Sequence, residues 1–235
     1  MTWSILVRDP ATGALGAAVA SRFFAVGAIC IHVEGGVGAM STQALVNPLH
    51  AIAAMPRLRA GEAPQAIVDS LLEGDPGRLQ RQVHILDARG RLAQHTGPDC
   101  VTWAGMVKGE NVSVAGNMLA GPQVVQATLD AFVAATGSLV ERLLTAMEAG
   151  EAAGGDKRGK QSAALKVCTA DPYPDLDIRS DDHPDPLAEL RRLHRVSLVR
   201  YAVFRRHMPG RDHPWGSIDR AVVEADITAH GQPLP

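Results

Sequence analysis

Thr2 is the residue of this chain best equipped for chemistry. With Met1 removed, its hydroxyl can attack a carbonyl while its own α-amine accepts the hydroxyl proton. An α-amine has a reference pKa of about 7.7–8.0, close to working pH, so it suits general-base work without heavy tuning. Residues 2–8, Thr-Trp-Ser-Ile-Leu-Val-Arg, read as a strand because they are rich in β-branched and apolar side chains. Asp9-Pro10-Ala11-Thr12-Gly13 carries turn chemistry, and residues 14–20 return as a second strand,. Pairing Arg8 near Ala14 puts Thr2 near Ala20, within one bulge residue,. Ser21 and Arg22 then extend just past Thr2 and set a hydroxyl and a fixed positive charge beside it. Arginine keeps its charge but cannot accept a proton, so no base role is expected for Arg22, which reads equally as a binding group or as a solvated strand-end charge.

Further segments carry chemistry-bearing residues. Residues 38–44 end a strand with Ser41, Thr42 and Gln43 just before a helix, where polar groups can meet a ligand at a helix N-terminus; for Ser41 simple capping is the expectation. At Val114-Ala115-Gly116-Asn117 another strand ends on an amide. The backbone there, or the Asn117 side chain, could donate to a developing oxyanion. The glycine-flanked loop at 154–162 holds Asp156, Lys157, Arg158 and Lys160. Such loops bind anions through backbone amides and arginine, but the spacing is not that of a nucleotide-binding P-loop. Residues 171–185 are rich in aspartate and include His183, a set that could hold a hard cation. The spacing does not match a calcium loop, and Asp175, Asp177 and Arg179 alternate with Leu176 and Ile178. An exposed strand face with local ion pairs is the expectation there, and no metal or cofactor is expected.

Composition narrows the partners. The 235 residues carry a formal net charge of −2 and only 4% aromatics, which argues against a nucleic-acid footprint. No stretch approaches the roughly 20 apolar residues of a membrane span. Residues 2–7 lack the basic lead of a signal peptide and are interrupted by Arg8-Asp9-Pro10,. Cys30, Cys100 and Cys168 are odd in number and far apart, so neither a disulfide framework nor a zinc site is indicated. A cytoplasmic protein acting on a small molecule fits best.

The elements that must position these residues alternate in blocks. Strands are expected at 26–33 and 36–42, and a helix capped by Asn47 and opened by Pro48, with a break at Pro56,. A second helix spans 64–73; hairpins follow at 82–86 with 92–96, and at 102–107 with 111–115. Helices at 122–135 and 138–149 precede a late strand at 161–167. Asp185 and Pro186 start a last long helix with a stripe of Leu187, Leu190, Leu193, Leu198, Tyr201 and Phe204, which suits packing on the domain or in a homodimer. The tail from Pro209 carries only a short apolar run at 221–223. Antiparallel hairpins and grouped helices predict an α+β layered domain and not a parallel sheet. Residues 1–185 are expected to form that domain, and 186–235 a C-terminal helical extension packed on it or on a dimer partner.

The blocks TWSILVRDP from Thr2, ASRFFAVG from Ala20 and TQALVNP from Thr42 resemble the domain-of-unknown-function 1028 (DUF1028) family. GNMLAG from Gly116, GGDKRGKQSA from Gly154 and DDHPDP from Asp181 extend the resemblance, in the same order, over about residues 1–195. That family is grouped with the N-terminal nucleophile (Ntn) hydrolases. The resemblance implies an αββα four-layer sandwich, two antiparallel sheets between helical layers, and gives Thr2 the role of nucleophile. The roles of Asn117, Ser21, Arg22, Thr42, Gln43, Asp156 and Arg158 rest on placement alone. Together these point to an amidohydrolase cleaving a C–N bond of a small, carboxylate-bearing amide or cyclic amide, with Asn117 at the oxyanion and Arg22 and Arg158 on the carboxylate. The alternative is a non-catalytic Ntn-like module that keeps Met1 and binds a small metabolite or serves in assembly.

Overall fold

The computed structural model describes residues 2–233. Two antiparallel sheets face each other. The first has six strands in the order β10-β9-β2-β1-β8-β7: Leu176–Ser180, Ser162–Cys168, Leu15–Ser21, Thr2–Arg8, Val112–Asn117 and Gly105–Gly109. The second has four, β3-β4-β5-β6: Ile31–Glu34, Gly38–Ala44, Arg81–Asp87 and Leu92–Thr96. Helices α3 (Pro122–Ala134), α4 (Leu139–Ala152) and α5 (Pro186–Val199) cover the outer face of the first sheet. Helices α1 (Pro48–Arg59) and α2 (Pro64–Glu73) cover the outer face of the second. The protein is thus an αββα sandwich, as the resemblance implies.

Side-chain alternation along the strands explains the layering. In β1, Trp3, Ile5 and Val7 join a core with Leu143, Leu144 and Met147 of α4, whereas Leu6 joins Ala17, Val19, Ala39 and Leu86 between the sheets. In β4 and β5, Met40, Val83 and Ile85 pack on Ala51, Ala54, Ile67 and Val68 of α1 and α2. Each of these strands therefore serves two cores, and every second residue of the inner strands points into the space between the sheets.

The helix starts follow their caps. Asn47 accepts from the Leu49 N–H ahead of Pro48, Ser138 and Glu141 form a reciprocal capping box, and Asp185 accepts from the Ala188 N–H,. Leu187 and Leu190 of α5 belong to the same core as Trp3.

Several expectations need correction. The second strand runs Leu15–Ser21 and not from Ala14, and the β1–β2 register pairs Arg8 with Leu15 and Thr2 with Ser21, inside the one-residue allowance. The Asp9 side chain takes the Ala11 N–H and the Thr12 hydroxyl, and the Asp9 N–H closes onto the Ala14 carbonyl, so Ala14 belongs to the turn. Residues 26–33 are not one strand. Val26–Ala28 form a single 3-10 turn and only Ile31–Glu34 are extended. Ala25, with φ 50°, turns the chain, and the Val26 N–H goes to the Ser162 hydroxyl at 3.0 Å instead of to a neighbouring strand. Helix α1 runs through Pro56 to Arg59; the carbonyl that a proline at this position leaves unpaired belongs to Ile52, an exposed residue that water can serve,. The strand expected at 102–107 begins only at Gly105. The apolar stripe from Leu187 to Phe204 is cut at Arg200, after which Tyr201–Arg205 form the separate short helix α6. Within the tail, Arg220–His230 form helix α7, whose Val223 and Ile227 close a small core with Val203.

Candidate active site

Thr2, Ser21 and Asn117 meet because their strands end together. Thr2 is the register partner of Ser21 in β2 and of Asn117 in β8. All three are at least 94% buried, and period-2 alternation puts them on the side of the sheet that faces β4 and β5. The Thr2 hydroxyl donates to Ser21 Oγ at 3.2 Å. Met1, whose removal the sequence reading requires, lies outside the described residues.

Two cavities open at this point. One of about 50 Å3 is lined by Thr2, Gln43, Phe23, Val26, Cys30 and Val46 among others. The second, of about 220 Å3, is lined by Asn117, Met118, Leu45, Gln80, Asp99 and Val101 among others. Ala44 borders both; it holds a left-handed backbone conformation, φ 66°, where β4 ends. Burial pushes the Cys30 thiol up to about 12, so at neutral pH it is a neutral thiol.

Behind the cavities, a polar layer fills one end of the space between the sheets. Gln43 Nε2 donates to Gln82 Oε1 at 2.8 Å, and Asn117 Nδ2 donates to the same oxygen at 3.0 Å. Gln82 is held the other way round by acceptors: its Nε2 donates to the Gly116 carbonyl at 2.8 Å, the Gly105 carbonyl at 3.2 Å and Thr96 Oγ1 at 3.0 Å. Carbonyls cannot donate, so Gln82 has one possible amide orientation, and it dictates that of Asn117 and Gln43. Gln43 Oε1 then accepts from Ser4 Oγ at 2.7 Å and Ser41 Oγ at 3.1 Å.

The chain of bonds continues to His84. Ser4 Oγ lies 2.9 Å from His84 Nε2, Ser113 Oγ lies 2.7 Å from Nδ1, and Gln94 Nε2 donates to Ser113 at 2.8 Å. Ser4 spends its proton on Gln43, so it accepts from Nε2–H; Ser113 is free to donate to a bare Nδ1. This assigns a neutral, Nε2-protonated imidazole. Desolvation by complete burial agrees, since it lowers the His84 pKa from 6.5 to about 3,. Sequence reasoning missed Ser4, Gln82, His84, Gln94 and Ser113. Their signal was polar residues two apart, Ser41 with Gln43 and Gln82 with His84, which share a strand face.

The remaining expected site residues lie apart from the Thr2 cavity wall. Buried Thr42 exchanges two 3.3 Å bonds with the Asn47 backbone and closes the β4–α1 connection. Asp156 accepts the Arg22 N–H at 2.9 Å, the Arg158 N–H at 2.7 Å and Arg158 Nη2 at 3.2 Å, tying the 154–160 loop to the end of β2. The exposed Arg22 side chain lines a separate surface cavity with Lys160, Asp182 and His183, and neither it nor Arg158 lines the two cavities at Thr2 and Asn117. In the 171–185 segment the ion-pair reading matches: Asp177 meets Lys166, Asp181 meets Arg179, and Asp171 and Asp175 share Arg205. Among the described residues no group of three His, Cys, Asp or Glu is placed to hold a metal, and no helix is long and apolar enough to cross a membrane.

The chain can now be set beside known proteins. A crystal structure of a DUF1028 protein from Silicibacter pomeroyi superposes with a TM-score of 0.87 at 32% identity, over 93% of this chain and 96% of that one. Anbu, the ancestral beta-subunit from Yersinia bercovieri, matches over 88% of this chain and 98% of its own, at 12% identity and a TM-score of 0.38, a likeness too slight to bear on function. No curated protein matches. The family model for DUF1028, described as a family of unknown function, matches residues 2–190. With the family model spanning most of the sequence and a DUF1028 fold shared almost end to end, this chain belongs to the DUF1028 family.

Proposed function

We propose that this protein is an Ntn-type amidohydrolase that cleaves a C–N bond of a small amide or cyclic amide, with Thr2 as nucleophile once Met1 is removed. The observation that carries the reading is the meeting of Thr2, Ser21 and Asn117 at adjoining cavities. In this mechanism Thr2 Oγ1 attacks the amide carbon and its proton passes to the Thr2 amine. The C–N bond then breaks, the amine returns that proton to the leaving nitrogen, and an ester to Thr2 remains for water to hydrolyse. Ser21, already hydrogen-bonded to the Thr2 hydroxyl, orients the attacking oxygen. Asn117, the β8 register partner of Thr2 with its amide oriented by Gln82, is assigned the oxyanion, with its second amide N–H as the donor,. A substrate carboxylate on Arg22 and Arg158 draws no support from the lining of these cavities.

The test is the intact mass of untagged protein, followed by hydrolysis of an amide library by the wild type and Thr2→Ala. A mass short by one methionine and hydrolysis lost in Thr2→Ala are expected. A retained methionine, or no hydrolysis by the wild type, refutes the reading and leaves the non-catalytic binding module; equal hydrolysis by both proteins refutes Thr2 as the nucleophile.

A further inference from the structure

The 220 Å3 cavity beside Asn117 has a charge of its own. Its walls are largely apolar, with Leu45, Val101 and Met118, and Asp99 is the one charged side chain among its described lining residues. The Asp99 backbone is fixed, its N–H donating to the Leu79 carbonyl at 2.8 Å. Its carboxylate has no hydrogen bond or ion pair among the described residues, whereas the nearby Arg81 is engaged by Asp75 and the Leu45 carbonyl. A largely apolar cavity with an uncompensated carboxylate among its lining groups suits a short aliphatic stem tipped by a cation,. The volume is below the roughly 300–1,000 Å3 of drug-sized ligand sites, so the group it takes is small.

We propose that this cavity receives a cationic substituent of the substrate, an amine or guanidinium on a short alkyl stem, with Asp99 as its counter-charge. As a substrate subsite it rests on the hydrolase reading, because Asn117 joins the cavity to Thr2. The substrate is then a small amide with a positive group near the scissile bond.

Binding tests this without catalysis. Protein NMR titrations with butylammonium, butyramide and butyrate would be run on the wild type, Asp99→Asn and Thr2→Ala. Butylammonium should perturb the resonances of Asp99 and Met118 and bind up to about five-fold tighter than butyramide, the range of an exposed ion pair. That preference should fade at high salt and vanish in Asp99→Asn, a near-isosteric change at an exposed residue, while Thr2→Ala keeps it. Equal binding of butylammonium and butyramide, tighter binding of butyrate, or a preference that survives Asp99→Asn overturns the proposal. The two readings fail separately. An intact ammonium preference without Thr2-dependent hydrolysis removes the hydrolase and leaves a cation-binding cavity. Thr2-dependent hydrolysis without the preference removes only the cation.

Discussion

Replacing His84 with glutamine should flatten the dependence of stability on acid. Unfolded His84 takes up a proton below its ordinary 6.5, while the folded imidazole resists down to about 3. Between those values the unfolded chain binds more protons, so stability falls as pH falls, by about 1.4 kcal/mol per pH unit. From pH 7 to pH 5 this single residue should cost about 2 kcal/mol, and over the whole window about 5 kcal/mol, comparable to the total stability of many domains. The hydrogen bonds give the reason: a proton on Nδ1 would face the proton that Ser113 donates there. Burial also holds His32, His50 and His194 below their ordinary values, but they are common to both proteins and cancel in the comparison. Urea denaturation of wild type and His84→Gln at pH 7 and pH 5 measures the difference. The variant should start less stable, since Ser4 and Ser113 lose good partners, yet lose about 2 kcal/mol less on acidification. Parallel losses in the two proteins would refute a neutral, proton-refusing imidazole.

Gln82→Glu keeps the shape of the side chain but turns an oxygen toward the Gly105 and Gly116 carbonyls that now accept from Nε2. We expect a loss of about 1–3 kcal/mol in denaturant titrations, together with a changed Asn117 side-chain amide resonance. Gly27→Ala would set a Cβ 2.1 Å from that of Ala164; the 3-10 turn must then lift off β9, and a fall of about 1–3 kcal/mol is expected by thermal or urea unfolding.

The hairpin, the helix starts at Asn47 and Asp185, and the layered class were legible because each is local chemistry. The meeting of Thr2 with Ser21 was also legible, since strand lengths and one turn decide it. Asn117 was legible as a strand-end amide but not as a neighbour of Thr2, because β1 and β8 are a hundred residues apart and no local signal sets their register. The polar layer stayed hidden for the same reason. Ser4 and His84 read as isolated polar residues in apolar strands until the two sheets stack. The break at 26–33 was out of reach too, since it follows from contacts with Ser162 and Ala164 across the fold. Asp156 and Arg158 looked like a ligand loop, yet they bond to each other and to the β2 end, because the same donors and acceptors that greet an anion can also close a loop.

The place of β1 between β2 and β8 has a further meaning for Thr2. Strand ends often fray, and a reacting group at a loose end must be brought to order each time a ligand arrives. Here residue 2 has a ladder partner on both sides, so its backbone freedom is surrendered once, when the sheet forms. In the proposed hydrolase an incoming molecule would meet an already immobilised attacking group, and its binding free energy would not be spent on arranging it. Position 2 inherits the rigidity of the sheet's interior while remaining beside open space.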